Sequence, residues 1–197
     1  MCIRDRWLLD VFLATGMIAC IIGIGHFFRY DPIGFKNGIS PYEYPMFVST
    51  IGNINTYTSY VALISAIAAV LFSIEKNKYK RIWYLFTVII SLFALITGMS
   101  DNAYLTLMAL FGLLPLYLFN SLDGFKKYMV LVSILFSEFQ FIDTISHKFP
   151  NHVLEINGLF NVIVEYDRLP YFVIGLWGIC IILYLSLIHI SEPTRLD

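Results

Sequence analysis

Charge is the first thing this sequence lacks. Asp, Glu, Lys and Arg make up 14% of it, against about a quarter in an ordinary soluble domain. A water-facing globule is therefore not the expected class. The charges that exist almost cancel, at a formal net charge of −1. No stretch gathers the basic face that nucleic acid requires, so no nucleic acid partner is expected. Cysteine is scarce too. Cys20 and Cys180 stand singly in apolar runs, which argues against a disulfide framework or a thiolate metal site; both read as small core hydrophobes. No metal and no cofactor are expected. Internal repeats and low-complexity stretches are also missing, so neither a solenoid nor a flexible tail is anticipated.

What is present is long apolar chain. Hydrophobic residues make up 58% of the sequence and mean hydropathy is +0.74. A helix needs about 20 apolar residues to cross the hydrocarbon core at about 1.5 Å per residue. Six stretches approach that length, roughly 8–28, 56–74, 82–98, 103–120, 128–145 and 169–184. Backbone polar groups cannot go unpaired in lipid, so continuous helices are the expected spans. The fold class expected is all-α, a polytopic transmembrane helix bundle of about six spans. Aromatic residues reach 17%, with Tyr and Trp often near span ends, where amphipathic rings favour the lipid–water interface.

The two ends of the chain read differently. The opening Met1-Cys2-Ile3-Arg4-Asp5-Arg6 back-translates as ATG TGT ATA AGA GAC AGR. The reverse complement of that word, read one base in, encodes Leu-Ser-Leu-Ile-His-Ile, which is the run Leu185-Ser186-Leu187-Ile188-His189-Ile190. The two ends can be one DNA word read on opposite strands. That word resembles the transposon end used in sequencing-library adapters, and Ser191-Glu192-Pro193-Thr194-Arg195 resembles its continuation. Residues 1–6 and 185–197 are accordingly expected to be adapter-derived. Residues 7–184 are expected to be a fragment of a transmembrane domain, open at both ends.

Orientation follows from where Lys and Arg fall in short loops. The loop after the second span carries Lys76, Lys78, Lys80 and Arg81, and the loop after the fourth carries Lys126 and Lys127. Both are expected on the cytoplasmic side. Segments 29–55, 99–102 and 146–168 then face outside, with only Arg29, Lys36, Lys148 and Arg168 among them. The first of these holds Pro32, Gly34, Gly38, Pro41, Tyr42, Tyr44 and Pro45 and reads as a structured loop or re-entrant turn. In the last, Pro150, Asn151 and Asn157-Gly158 precede an apolar run at 159–164, where a short surface-lying amphipathic helix is expected.

Two polar patches fall on that outer side. The first is Phe47-Val48-Ser49-Thr50-Ile51-Gly52-Asn53-Ile54-Asn55-Thr56-Tyr57-Thr58-Ser59-Tyr60. One or two such residues are explained by a glycine turn and a helix cap. The whole cluster also suits a hydrogen-bonding floor for phosphate or sugar hydroxyls at a helix N-terminus. The second patch, Thr97-Gly98-Met99-Ser100-Asp101-Asn102-Ala103-Tyr104, is equally compatible with plain turn and cap chemistry.

In this order the patches resemble the O-antigen ligase family, membrane ligases and polymerases of bacterial surface polysaccharide. That family shows a Gly-x-x-Asn-x-Asn-like element opening one span, a basic loop, another span and a Ser-Arg-Gly-like turn. Gly52-Asn53-Ile54-Asn55 fits the first element with a shorter gap, and Thr97-Gly98-Met99-Ser100 fits the approach to the second. The likeness covers about residues 46–120. Where the family often has Arg after the serine this chain has Asp101, which would repel a diphosphate rather than clamp it; Arg29 or Arg168 could take that part, with Asp101 serving an acceptor sugar or a cation.

The resemblance implies glycosyl transfer from a polyprenyl-diphosphate-linked oligosaccharide to a glycan or lipid acceptor, at the outer face of the bacterial cytoplasmic membrane, without cofactor. It also implies a large outer loop later in the chain that supplies key Arg and His residues, so the stretch is expected to be inactive alone. Substrate contacts are expected from Asn53, Asn55, Tyr57, Ser100, Asp101, Asn102, Arg29 and Arg168.

Ionisable groups inside a span are costly and suggest function by default. Glu138 is the deepest in sequence, Asp143 lies nearer the outer end, and His147 and His152 follow; Glu138, Asp143 and His152 are the catalytic candidates. Asp10 and His26 read as interface residues. The competing class is a carrier, a lipid-linked oligosaccharide flippase or other multi-span transporter, in which Glu138 and Asp143 line a path. A third is the membrane domain of a sensor.

Overall fold

A computed structural model describes residues 3–191 apart from Pro41 and Pro45, with the side chains of 3–5 and 187–191 excepted. Two of the three prolines noted in the first outer segment, Pro41 and Pro45, and the outermost adapter-like residues therefore lie outside the described residues. Among the described residues there are seven helices and no strand. They are α1 Ile3–Phe27, α2 Ile54–Ile74, α3 Lys78–Thr97, α4 Asp101–Leu118, α5 Leu122–Lys148, α6 Leu159–Val164 and α7 Leu169–Ser191. All but α6 contain a segment long and apolar enough to cross a membrane. The chain is a multi-pass membrane protein built as an all-helical bundle.

α2 packs against α1, α3, α4 and α5, while α7 rests on α5. In lipid, helices gain little from hydrophobic transfer on associating, so close packing has to hold them. Gly16 and Gly23 let α1 approach α2: a Cβ at Gly23 would run into the Tyr57 hydroxyl, and one at Gly16 into the Ile64 side chain. Leu13, Val61, Ile64, Leu92, Leu95, Leu131 and Ile142 fill the interior. The buried hydroxyls of Ser65, Ser73, Thr87, Ser91, Thr97 and Ser133 bond to carbonyls of their own helices. That satisfies each donor without a partner helix. Cys20 and Cys180 are free and buried, as expected.

The spans run further than apolar stretches alone suggest. α3 starts at Lys78 because the Asn77 side chain accepts from the N–H groups of Tyr79 and Lys80. α5 starts at Leu122 behind Ser121, which accepts from Gly124 N at 3.0 Å. The connections at this end shrink to residues 75–77 and 119–121. Lys78, Lys80, Arg81, Lys126 and Lys127, expected in loops, therefore stand on the opening turns of α3 and α5. Two of them are paired there: Lys80 with Asp10 at 3.6 Å, and Lys127 with Asp123 at 2.6 Å and the Ser73 carbonyl at 2.9 Å. Arg6 meets Glu75 at 2.8 Å. The Asn77 N–H, supported by Lys76 N–H, Arg6 and Lys80 against partial burial, holds the Glu75 carboxyl below its ordinary value.

The opposite end carries the long connections. Residues 28–53 fold back on α1, where Ser49 Oγ donates to the Ala19 carbonyl at 2.6 Å. Ala19 lies eight residues before the end of α1, about 12 Å along the helix, so the segment re-enters the bundle as anticipated. Residues 149–158 strap across the same end: Leu154 N donates to Phe27 O at 2.9 Å, and Arg29 Nε to Val153 O at 3.2 Å. The short helix expected at 159–164 is α6, with Phe160 and Val164 turned inward and Leu159 and Val162 exposed.

Candidate functional site

The two polar patches, 45 residues apart in sequence, touch. Gly52, at φ +80°, turns the chain into α2, and Asn53 caps that helix by accepting from Asn55 N at 3.0 Å and Thr56 N at 3.1 Å. Its side chain is thereby committed to the capping role that sequence allowed. Asn55, on the first turn, is left to face α4. Ser100 Oγ donates to Asn55 Oδ1 at 2.7 Å, and Asn102 Nδ2 donates to the Asn55 carbonyl and to Ser59 Oγ, both at 3.3 Å. Ser100 caps α4, and Asp101 occupies its first turn, exposed.

The N-termini of α2 and α4 therefore lie side by side, joined by neutral amides and hydroxyls. The opening N–H groups are largely taken, at α2 by Met46 O and Asn53 and at α4 by Ser100, so what each helix start offers is the positive end of its dipole, a setting that favours anions and hydroxyl-rich ligands. Asp101 answers part of that field at α4. Tyr104, one turn further, locks α6 over the junction. Its hydroxyl accepts from Leu159 N at 2.9 Å, reaches Asn157 O at 3.5 Å, and its ring meets Phe160 edge-on at 4.4 Å.

A second group of polar residues gathers at the end of α5. Gln140 Nε2 donates to Asp143 Oδ2 at 3.1 Å, and His147 Nδ1 lies 3.0 Å from Asp143 Oδ1. A cleft of about 460 Å³ is lined by Asp143, His147, Glu165 and Asp167 among others. A neighbouring one of about 320 Å³ lies under the 149–158 strap and shares His147 and Glu165. His147 is largely exposed. His152 is exposed on the strap and lines neither cleft. Glu138 sits in the middle of the inward stripe of α5 formed by Leu131, Ile134, Leu135 and Ile142. It is 6% exposed, and neither carboxylate oxygen has a hydrogen-bond partner.

The remaining expected contacts are dispersed. Tyr57 is 1% exposed and points into the bundle against Gly23, away from the Asn55 junction, so it acts as core. Arg29 is used in holding the strap, and Arg168 is exposed where α7 begins. Asn55, Ser100 and Asn102 are thus brought together, with Asn53 and Asp101 at their margins; Tyr57, Arg29, Arg168, Glu138, Asp143 and His152 are not part of that cluster.

Several residues that shape this end were not expected in the roles they take. Ser59 and Tyr104, members of the two polar patches but not named as contacts, join the junction. His26, expected at the interface, is 3% exposed and accepts from Ser49 N at 3.1 Å through Nδ1. Lys36 is 6% exposed, with its ammonium on the Tyr44 carbonyl at 3.1 Å and 4.3 Å from the Tyr44 ring centre. Burial, only partly offset by Asp31, lowers its basicity. Asp31 accepts from the N–H groups of Gly34, Phe35 and Lys36 at 2.7–3.1 Å. Partial burial opposes ionisation of Asp31, but those three donors and His26 outweigh it and hold the carboxyl below its ordinary value.

No protein-family model, no curated protein and no solved structure matches the chain.

Proposed function

We propose that this chain is part of a bacterial cytoplasmic-membrane enzyme of the O-antigen ligase type, transferring a glycan from a polyprenyl diphosphate to an acceptor at the outer face. The observation that carries this reading is the Asn55–Ser100–Asn102 junction. It unites the two motifs that carry the family resemblance at the paired starts of α2 and α4. Neutral amides and hydroxyls there can bind sugar hydroxyls, and the helix starts favour a diphosphate. The groups that activate the acceptor hydroxyl are expected in chain following α7, so these residues act as a binding floor rather than as the catalytic base. The loop-rich end is the outer one in this reading, because the basic residues cluster at the other.

A second reading, a carrier for lipid-linked oligosaccharide, draws on Glu138. A carboxyl deep in the bundle with no donor is the kind of group that serves a translocation path. One pair of variants separates the readings in the full-length protein. Asn55→Ala with Asn102→Ala is expected to lower glycan transfer about a hundredfold, as two hydrogen bonds to the bound ligand are lost, with membrane insertion intact. Glu138→Gln is expected to leave transfer within about twofold, since a neutral amide fills the same space. Undiminished transfer in the double variant overturns the enzyme reading, and loss of glycan movement confined to Glu138→Gln establishes the carrier.

A further inference from the structure

The re-entrant turn that leads into α2 is fastened to α1 at Ser49 by two hydrogen bonds, one to the Ala19 carbonyl and one to a histidine ring. His26 Nδ1 accepts the Ser49 N–H at 3.1 Å. An acceptor nitrogen carries no hydrogen, so the proton of the neutral ring is on Nε2. Nε2 has no hydrogen-bond partner and faces Asp31 Oδ1 at 3.7 Å. The ring is also flanked by Phe47, with Lys36 the nearest cation on the packed segment. Ser49, fully buried, is held at φ +58°, a left-handed conformation that side chains other than glycine rarely adopt. Such backbone persists only where its surroundings over-determine it, and here they do so through His26 and the Ala19 carbonyl.

We propose that His26 is a pH-sensitive latch whose protonation releases the turn at residues 48–52 from α1. A second proton must go to Nδ1, which sets two N–H donors, His26 and Ser49, against each other. Asp31 attracts the charged ring through Nε2 and keeps it in place, so the displacement falls on the strained turn. That turn is followed directly by Asn53 and Asn55, and its release therefore loosens the α2–α4 junction. The latch concerns conformation and stands independently of which ligand the junction binds.

The test uses the full chain in detergent micelles, where a thiol reagent reaches both ends. Cys2 is replaced by Ser, and Val48, 7% exposed beside Ser49, is replaced by Cys. Its labelling rate is taken relative to a cysteine at Tyr42, which is 80% exposed. Between about pH 8 and about pH 4, a range that reaches well past the ordinary imidazole titration on the acid side, the ratio is expected to rise about tenfold, the scale of one buried hydrogen bond lost. His26→Asn, which retains an acceptor but does not titrate, is expected to give a flat ratio. Hydrogen exchange at the Ser49 amide, corrected for intrinsic rate, reads the same release without substituting position 26. A ratio independent of pH overturns the latch. So does a rise that persists in His26→Asn, or one accompanied by labelling of buried Cys20, which reports general unfolding.

Discussion

The two ends of this bundle solve the same problem by opposite means. At the basic end the chain turns in three residues, at 75–77 and 119–121, and Lys80, Lys127 and Arg6 are paired with carboxylates. At the other end it spends residues 28–53 and 149–158 on folded connections held largely through backbone groups, among them the backbone partners of the charged Arg29, Asp31 and Lys36 side chains. Minimal turns suffice to reverse a helix, so the extra chain at the loop-rich end is there for another purpose. Ligand-binding loops belong to the less stable parts of a protein, whereas anchoring turns tolerate little change. The difference teaches where to expect rigidity and where to expect function.

The sharpest way to break the comparison is to crowd the tight end. A Cβ at Gly124 would run into the backbone carbonyl oxygen of Leu118, and backbone cannot swing aside as a side-chain tip can. Gly124→Ala is expected to destabilise the protein by about 3 kcal/mol, the upper range of overpacking, read by unfolding in mixed micelles. Gly112, around which a Cβ meets nothing, is the control, and Gly112→Ala should be neutral or slightly stabilising, because alanine is the better helix former. Equal effects at the two positions would mean that the 119–121 turn yields readily, and the contrast between the ends would fail.

A smaller effect sharpens the contrast electrostatically. Asp31 and Glu75 both have carboxyls held below their ordinary values of 3.8 and 4.5. A depressed folded value means stability present above the unfolded value and lost as pH falls through the folded one. Both contributions therefore disappear in acid, below about pH 4. Their partners differ: Asp31 is met by three backbone N–H groups, Glu75 by two, together with Arg6 and Lys80. Salt screens exposed charges more than it weakens a short N–H bond. Asp31→Asn is expected to cost about 1–2 kcal/mol at neutral pH, unchanged in about 1 M salt. Glu75→Gln is expected to cost about 1 kcal/mol, falling as salt rises. An identical salt response at both sites would show that the loop-rich end is held by charge as well.

Much of this architecture was legible in the amino-acid order, because six apolar runs separated by polar turns leave a lipid-embedded chain few alternatives to helices. The re-entrant segment and α6 were legible too, from Pro32 and Gly34 in one case and an apolar run after Asn157-Gly158 in the other. Boundaries were less so. Hydropathy stops at the first lysine, but Asn77 and Ser121 begin their helices earlier and the lysines ride on the first turns. The junction was half legible. Composition marked Asn55, Ser100 and Asn102, yet only packing decides that Asn53 is used up as a cap while Tyr57 turns into the core. The burial of His26 and Lys36 escaped, since each rests on a partner beyond its immediate neighbours, Ser49 for His26 and Tyr44 within the same connection for Lys36, that no local pattern reveals.

The smallest expected effect concerns the one pair at the tight end that involves residues 1–6. Arg6 meets Glu75 at 2.8 Å, but its own side chain is 37% exposed, so water and salt compete for the guanidinium. Glu75 keeps the N–H groups of Lys76 and Asn77 at 2.8 and 2.9 Å whether Arg6 is there or not. Asp10, four residues on, has its own partners in Lys80 and the Tyr84 hydroxyl, the latter at 2.9 Å, and does not depend on Arg6. Exposed ion pairs contribute about 0–1 kcal/mol, and Arg6→Ala is expected at the low end, within about 0.5 kcal/mol of the parent in mixed-micelle unfolding. A loss several times larger would make Arg6 an integral part of the basic end. Its pairing with Glu75 would then count with Lys80–Asp10 and Lys127–Asp123 among the contacts that hold that end.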